Sequence, residues 1–229
     1  MEKEELLERY EAYGHESDYI EARRLYDQAL AGGAADARTL NGFGYLQECH
    51  GRRDLRAAAD CYERAIEADP QWPKPHWQLI LALSTLGEND RLIERYRQRL
   101  DAAPTDPLAH AFLASAYVHA RDYERAGEVI RAGLELAPDD PRLTELRGDV
   151  FAAAGRPDDA LADWQRAYAL DPDNLSSRYS SAFLLERQGR LADAAAEWRF
   201  IVAWNEERGY DMTADWPRQE LHRLESMRP

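Results

Sequence analysis

The chain has 229 residues and sets 43 Asp and Glu against 29 Lys and Arg, for a formal charge of −14. That balance argues against gripping a phosphate backbone or an anionic membrane, both of which need clustered cations, so partners are expected to be neutral or basic. No apolar run approaches membrane-spanning length, and the acidic N-terminus MEKEELLERY has no apolar core to serve as an export signal.

Residues 1–36 place Leu6, Leu7, Tyr10 and Tyr13 at helical spacing. After a turn at GHESD comes a second helix carrying Tyr19, Ala22, Tyr26, Ala29 and Leu30, which Gly32 and Gly33 stop. Residues 37–70 repeat this plan, with Leu40, Phe43 and Gly44 on a first helix and Ala58, Tyr62 and Ala65 on a second, joined by a long turn at GRRDL. From Gln71 the register becomes strict, since Pro70, Pro104, Pro138 and Pro172 follow one another at 34 residues. Gly87, Arg121, Gly155 and Gly189 keep the same interval at the turn between helices.

The strict part gives units at 71–104, 105–138 and 139–172, and a sixth at 173–208 in which Glu206 replaces the closing proline. Asp106-Pro107 and Asp140-Pro141 read as acidic N-caps before a proline at the first helical position. Small residues at Gly44, Ala114, Gly148 and Ala182, and at Ala58, Ala126, Ala160 and Ala194, let paired helices approach closely. Tyr62, Tyr96, Ile130, Trp164 and Trp198 are the large residues beside them. The third unit departs, because Leu92 and Arg99 stand where the next unit has Ala126 and Gly133. That bulk predicts helices forced apart and a locally irregular DRLIERYRQRL. Residues 214–227 read as a capping helix with Trp216, Leu221 and Leu224 on its inner side.

A helix-turn-helix unit recurring every 34 residues resembles the tetratricopeptide repeat (TPR). The resemblance implies an all-α, right-handed α-α superhelix, a TPR-like solenoid of about six repeats plus a C-terminal capping helix. With no low-complexity segment or long linker, residues 1–229 are expected to form one solenoid.

The resemblance further implies that first helices line a concave groove holding an extended or helical peptide. By register that groove is lined by Arg38, Asn41, Tyr45 and Glu48; by Lys74, Trp77, Leu81 and Ser84; by Ala111, Ser115 and His119; by Glu145 and Asp149; and by Tyr179, Phe183 and Glu186. Members that clamp a chaperone's C-terminal carboxylate use Lys and Asn at adjacent groove positions. Here Glu4 and Glu8, then Asn41 and Tyr45, hold those places, which disfavours that ligand.

Tyr45, Trp77 and Leu81 read either as an aromatic anchor for a partner or as packing between helices. Trp164 and Trp198 fall on core positions. Glu145 and Asp149, four apart on one helix, have the spacing to share a proton or hold a metal, but with no third ligand nearby they read as a solvated acidic face. His110 and His119 do not make HExxH, and Cys49, His50 and Cys61 lack zinc-finger spacing. The two cysteines fit no disulfide framework and read as reduced thiols of a cytoplasmic protein. Gly42-Phe43-Gly44 lacks both the third glycine and the strand of a dinucleotide fingerprint, and no Ser-His-Asp or Cys-His pairing is present.

These readings converge on a non-catalytic adaptor with no cofactor and no metal, binding an apolar, basic protein or peptide segment in its groove as a monomer or homodimer. A self-associating scaffold, built through the groove or the C-terminal helix, is the alternative.

Overall fold

A computed structural model of the chain describes residues 16–32, 36–50, 55–209 and 215–227. Among them are twelve α-helices and no strand. The first helix expected for the opening repeat, with Glu4 and Glu8, lies outside the described residues, as do the side chains of Glu48, Cys49 and His50. The chain divides into two compact units, Met1–Arg99 and Leu100–Pro229.

The first unit contains α1 (Glu16–Ala31), α2 (Ala37–His50), α3 (Leu55–Ala68), α4 (Pro73–Thr85) and all but the last turn of α5 (Asn89–Ala102). α1 begins inside the expected GHESD turn. The second unit contains α6 (Pro107–His119), α7 (Tyr123–Leu136), α8 (Pro141–Ala153), α9 (Pro157–Leu170), α10 (Ser176–Arg187), α11 (Leu191–Glu207) and α12 (Asp215–Ser226). Short turns fold successive helices back on one another, and in the second unit each helix packs on the next while α6 also reaches α8.

Local chemistry sets the helix ends. Asp106 accepts a hydrogen bond from Leu108 N at 2.9 Å, and Asp140 accepts from Arg142 N at 3.0 Å and Leu143 N at 3.1 Å. Each aspartate thereby satisfies orphan amides in front of a proline that lacks one. α8 ends with Gly155 at φ 72°. Its turn is closed by Arg156 N donating to Phe151 O at 2.9 Å and Gly155 N to Ala152 O at 3.2 Å, the paired bonds of a left-handed C-cap. Arg121 occupies the same left-handed place after α6 at φ 60°, where a side chain is strained.

The core forms where a small residue admits a large one. A methyl added at Gly148 would stand 2.6 Å from the Trp164 indole, so α8 and α9 approach as closely as they do because position 148 has no side chain. Trp198, Tyr62, Tyr96 and Ile130 are almost wholly buried, and Trp164 is 4% exposed.

In the third repeat α4 and α5 stand apart, as the bulk of Leu92 and Arg99 predicts: unlike the two helices of each later hairpin, they make almost no close backbone approach. α5 runs unbroken, with Leu92 and Tyr96 fully buried. Tyr96 donates to the His76 carbonyl at 3.1 Å, and Arg99 reaches out to donate to Pro70 O at 2.9 Å. The bulk thus holds α5 off α4, while Tyr96 and Arg99 tie it to the start of α4 and the turn before it. Burial pushes the His76 imidazole down to about 4, so it stays neutral beside Tyr96. The arginines of α5 do not simply point to water: Arg91 pairs with Glu63 at 2.7 Å and Glu88 at 3.1 Å, joining α5 to α3.

Candidate interaction surfaces

In the first unit the expected groove residues separate by burial. Asn41 is 4% exposed, and its Oδ1 is buried with no hydrogen-bond partner among the described residues, so it lies in the interior. Tyr45 is half-buried against the cluster of Tyr19, Ala22, Tyr26, Phe43, Leu46 and Cys61. Burial also pushes the Cys61 thiol up to about 11, which keeps it protonated. On α4, Lys74 is exposed, Trp77 is half-buried and Leu81 is 51% exposed. Leu81 is thus the one large apolar side chain of α4 that is exposed.

In the second unit Ser115 is buried at 5% exposure, because α6 is covered on nearly every side, while His119 emerges at its last turn. Glu145 and Asp149 are partly buried on α8. Asp149 Oδ1 accepts from the Trp164 indole N–H at 3.1 Å, and Glu145 Oε2 accepts from Asn174 Nδ2 at 3.4 Å. Both donors are neutral, and among the described residues no cation pairs with either carboxylate. Burial, followed by the charge of Glu145, raises the Asp149 carboxyl from an ordinary 3.8 to about 7. Glu145 is also raised, chiefly by burial. The two are not the solvated acidic face that their spacing suggested, since α9 and the turn before α10 cover them. No third His, Cys, Asp or Glu joins them in a metal-holding group among the described residues.

On α10, Tyr179 is half-buried and Phe183 is 44% exposed. Their neighbour is the C-terminal helix. Trp216 stacks on Tyr179 with ring centroids 5.8 Å apart, lies 5.9 Å from Phe183, and meets Trp198 edge-on at 5.2 Å. Pro217 and Leu224 of α12 are buried, and Arg223 pairs with Glu186, which also accepts from the Trp198 indole at 2.8 Å. Glu186 is therefore occupied within the chain and is not a free rim charge for a partner.

The sequence missed two of these features. The indole bond from Trp164 to Asp149 joins residues 15 apart on different helices; its signal was Gly148, whose missing side chain draws Trp164 to that side of α8. The seating of Trp216 on Tyr179 and Phe183 was half visible, in that Trp216 was expected to face inward but not onto groove residues.

The described geometry is a series of helical hairpins whose first helices carry a graded set of exposed, acidic and aromatic residues. The tetratricopeptide repeat family matches residues 93–150 and again residues 146–198. Residues 93–198 are tetratricopeptide repeats. Solved structures of the same fold include a thermophilic TPR protein of Thermus thermophilus, 23% identical, with a TM-score of 0.59 over 83% of this chain and 97% of that one. A tetratricopeptide repeat protein from Parabacteroides merdae is 18% identical, with a TM-score of 0.53 over 98% of this chain and 93% of that one. The APC/C hetero-tetramer Cut9–Hcn1 is 15% identical, with a TM-score of 0.55 over 95% of this chain and 48% of that one. No curated protein matches the chain in sequence. Tetratricopeptide repeats serve protein interaction, as adaptors or scaffolds, and proteins built from them are generally non-catalytic. No described helix is long and apolar enough to cross a membrane.

Proposed function

We propose that this protein is an adaptor whose first-helix faces hold a segment of a partner protein, and that the segment sets a Lys or Arg side chain against Glu145 and Asp149. The observation that carries this reading is the pair itself: two carboxylates, partly buried, opposed only by neutral donors and held above their ordinary pKa. Charge withdrawn from water without a counter-charge is costly, and perturbed carboxyls of this kind gather where function retains them. An incoming cation would favour the ionised pair and offset that cost.

Apolar contact in the second unit would come from Phe183. Ion-pair steering by the excess negative charge would speed encounter with a basic partner more than it would tighten the complex. Self-association through the C-terminal helix has less support, because Pro217 and Leu224 are already buried within the chain.

The test is affinity capture from the native host with the full chain, run side by side with a variant carrying Glu145→Gln and Asp149→Asn. A partner retained by the wild type and lost from the folded double variant supports the reading. A partner captured equally by both removes the carboxylate pair from the binding site.

A further inference from the structure

At about 100° per residue, Arg147, Val150 and Phe151 stand on the side of α8 opposite Glu145 and Asp149. There, between α7 and α8, lies a groove of about 480 Å³ floored by Ile130, Leu134, Val150 and Phe151, a volume within the roughly 300–1,000 Å³ of ligand-sized pockets. Gly127 opens it, because a methyl group at that position would meet nothing within 4 Å. A glycine in the interior of a helix costs about as much as any residue except proline, and here no close contact requires it.

The repeat supplies its own comparison. One unit further on, the equivalent groove between α9, α10 and α11 is smaller, about 310 Å³. Leu161 stands there where Gly127 stands here, and Trp164 where Ile130 stands, each 34 residues on. The chain thus sets its own leucine into one groove and leaves the corresponding place bare in the other.

The rim differs too. By register Arg131 and Arg147 stand where the equivalent groove has Gln165 and Ser181, and that groove's own arginines, Arg178 and Arg190, are paired with Glu197 and Asp193. Arg147 is neutralised by Asp163 through two hydrogen bonds of 2.7 Å, whereas Arg131 has no ion pair among the described residues. Arg131 lies one helical turn from Gly127, next to the opening. Glu135 lies about 12 Å along the helix from Gly127 at 1.5 Å per residue.

We propose that this groove is a second docking site, for a protein segment that seats a leucine- or tryptophan-sized apolar side chain over Gly127 and sets an acidic residue against Arg131. Its chemistry is opposite in charge to that of the Glu145–Asp149 face, so the two sides of α8 select different segments. That is the minimum an adaptor needs to bridge two proteins. The proposal stands on Gly127 and Arg131 and does not require the carboxylate face to bind anything.

The experiment is selection of a random-peptide phage library on the full chain, with each recovered peptide then measured on Gly127→Leu, Arg131→Gln and Asp149→Asn. Gly127→Leu restores the residue of the next repeat and enters open space, so it should fold with a melting temperature no lower than wild type. A class of peptides is expected that carries Trp, Leu or Phe beside Asp or Glu. These should lose about tenfold or more in affinity on Gly127→Leu, weaken on Arg131→Gln, and be indifferent to Asp149→Asn. Failure to recover any peptide sensitive to Gly127→Leu overturns the proposal, as does a sensitive class whose neighbouring residues are basic. Should Gly127→Leu not fold, Arg131→Gln decides: peptides with the apolar–acidic pair that bind it as well as wild type refute the site.

Discussion

Replacing Asp149 by Asn tests the carboxylate pair without a partner in hand. Asparagine keeps an oxygen to accept the Trp164 indole N–H and removes the charge that burial and Glu145 disfavour. In the folded chain the carboxyl titrates at about 7, against an ordinary 3.8, so the folded state holds this proton more tightly than the unfolded state. The contribution to stability is fully present below about pH 4 and is lost as pH rises through about 7. A displacement of roughly three units at ~1.4 kcal/mol each, reduced for partial contact with water, is on the order of 2–4 kcal/mol by pH 8. Asp149→Asn should therefore be more stable than wild type at pH 8 by that amount and nearly equal to it at pH 4, with a flatter pH profile between. Urea denaturation followed by tryptophan fluorescence and circular dichroism at steps across this range measures it. An Asp149→Asn chain that is less stable than wild type at pH 8, or offset by the same amount at every pH, would show that the carboxylate is favourably placed and that the argument for a missing cation fails.

Other substitutions probe the frame that holds the site. Trp164→Ala should cost about 3–5 kcal/mol, the range for a buried large aromatic, and should also release Asp149, visible as a shift of its titration toward lower pH. Arg121→Gly should stabilise by about 0.5–1 kcal/mol in chemical denaturation, because glycine relieves the left-handed strain at that turn; a loss of stability would mean that the arginine side chain compensates. Removing residues 210–229 should uncover Tyr179, Phe183 and Trp198 and produce dye binding, aggregation or a large fall in melting temperature. A truncated chain as soluble and stable as the original would deny α12 its role as a cover.

Much of the architecture was legible because the repeat writes it several times. The prolines at 34-residue intervals, the turn glycines and the Asp-Pro caps each mark a helix end by a backbone rule that acts locally, and the structure places helix ends there. The core positions of Trp164 and Trp198 followed from the same register. Leu92 and Arg99 followed the same local reading: bulk where the next unit has Ala126 and Gly133 predicts helices held apart, and α4 and α5 stand apart, with Arg99 reaching the Pro70 carbonyl.

The candidate surface was less legible. Register gives the side of a helix on which a residue lies but not what covers it, so Asn41 and Ser115 read as groove residues and are buried. Glu145 and Asp149 were found by spacing, while their environment comes from Trp164, Asn174 and Ser176 on other elements. The open groove at Gly127 escaped notice because a missing side chain leaves no pattern until it is set beside Leu161 one repeat away.

In the proposed complex an ionised Glu145–Asp149 pair receives a partner's cation. The most direct measurement of this pairing is the affinity of the captured partner segment for the full chain at pH 5 and at pH 8, in low and high salt, beside the Glu145→Gln, Asp149→Asn double variant. Affinity should rise with pH through about 7 as Asp149 ionises, fall with added salt, and drop by about tenfold or more in the variant at pH 8. Affinity that is independent of pH and unchanged in the double variant would contradict the pairing.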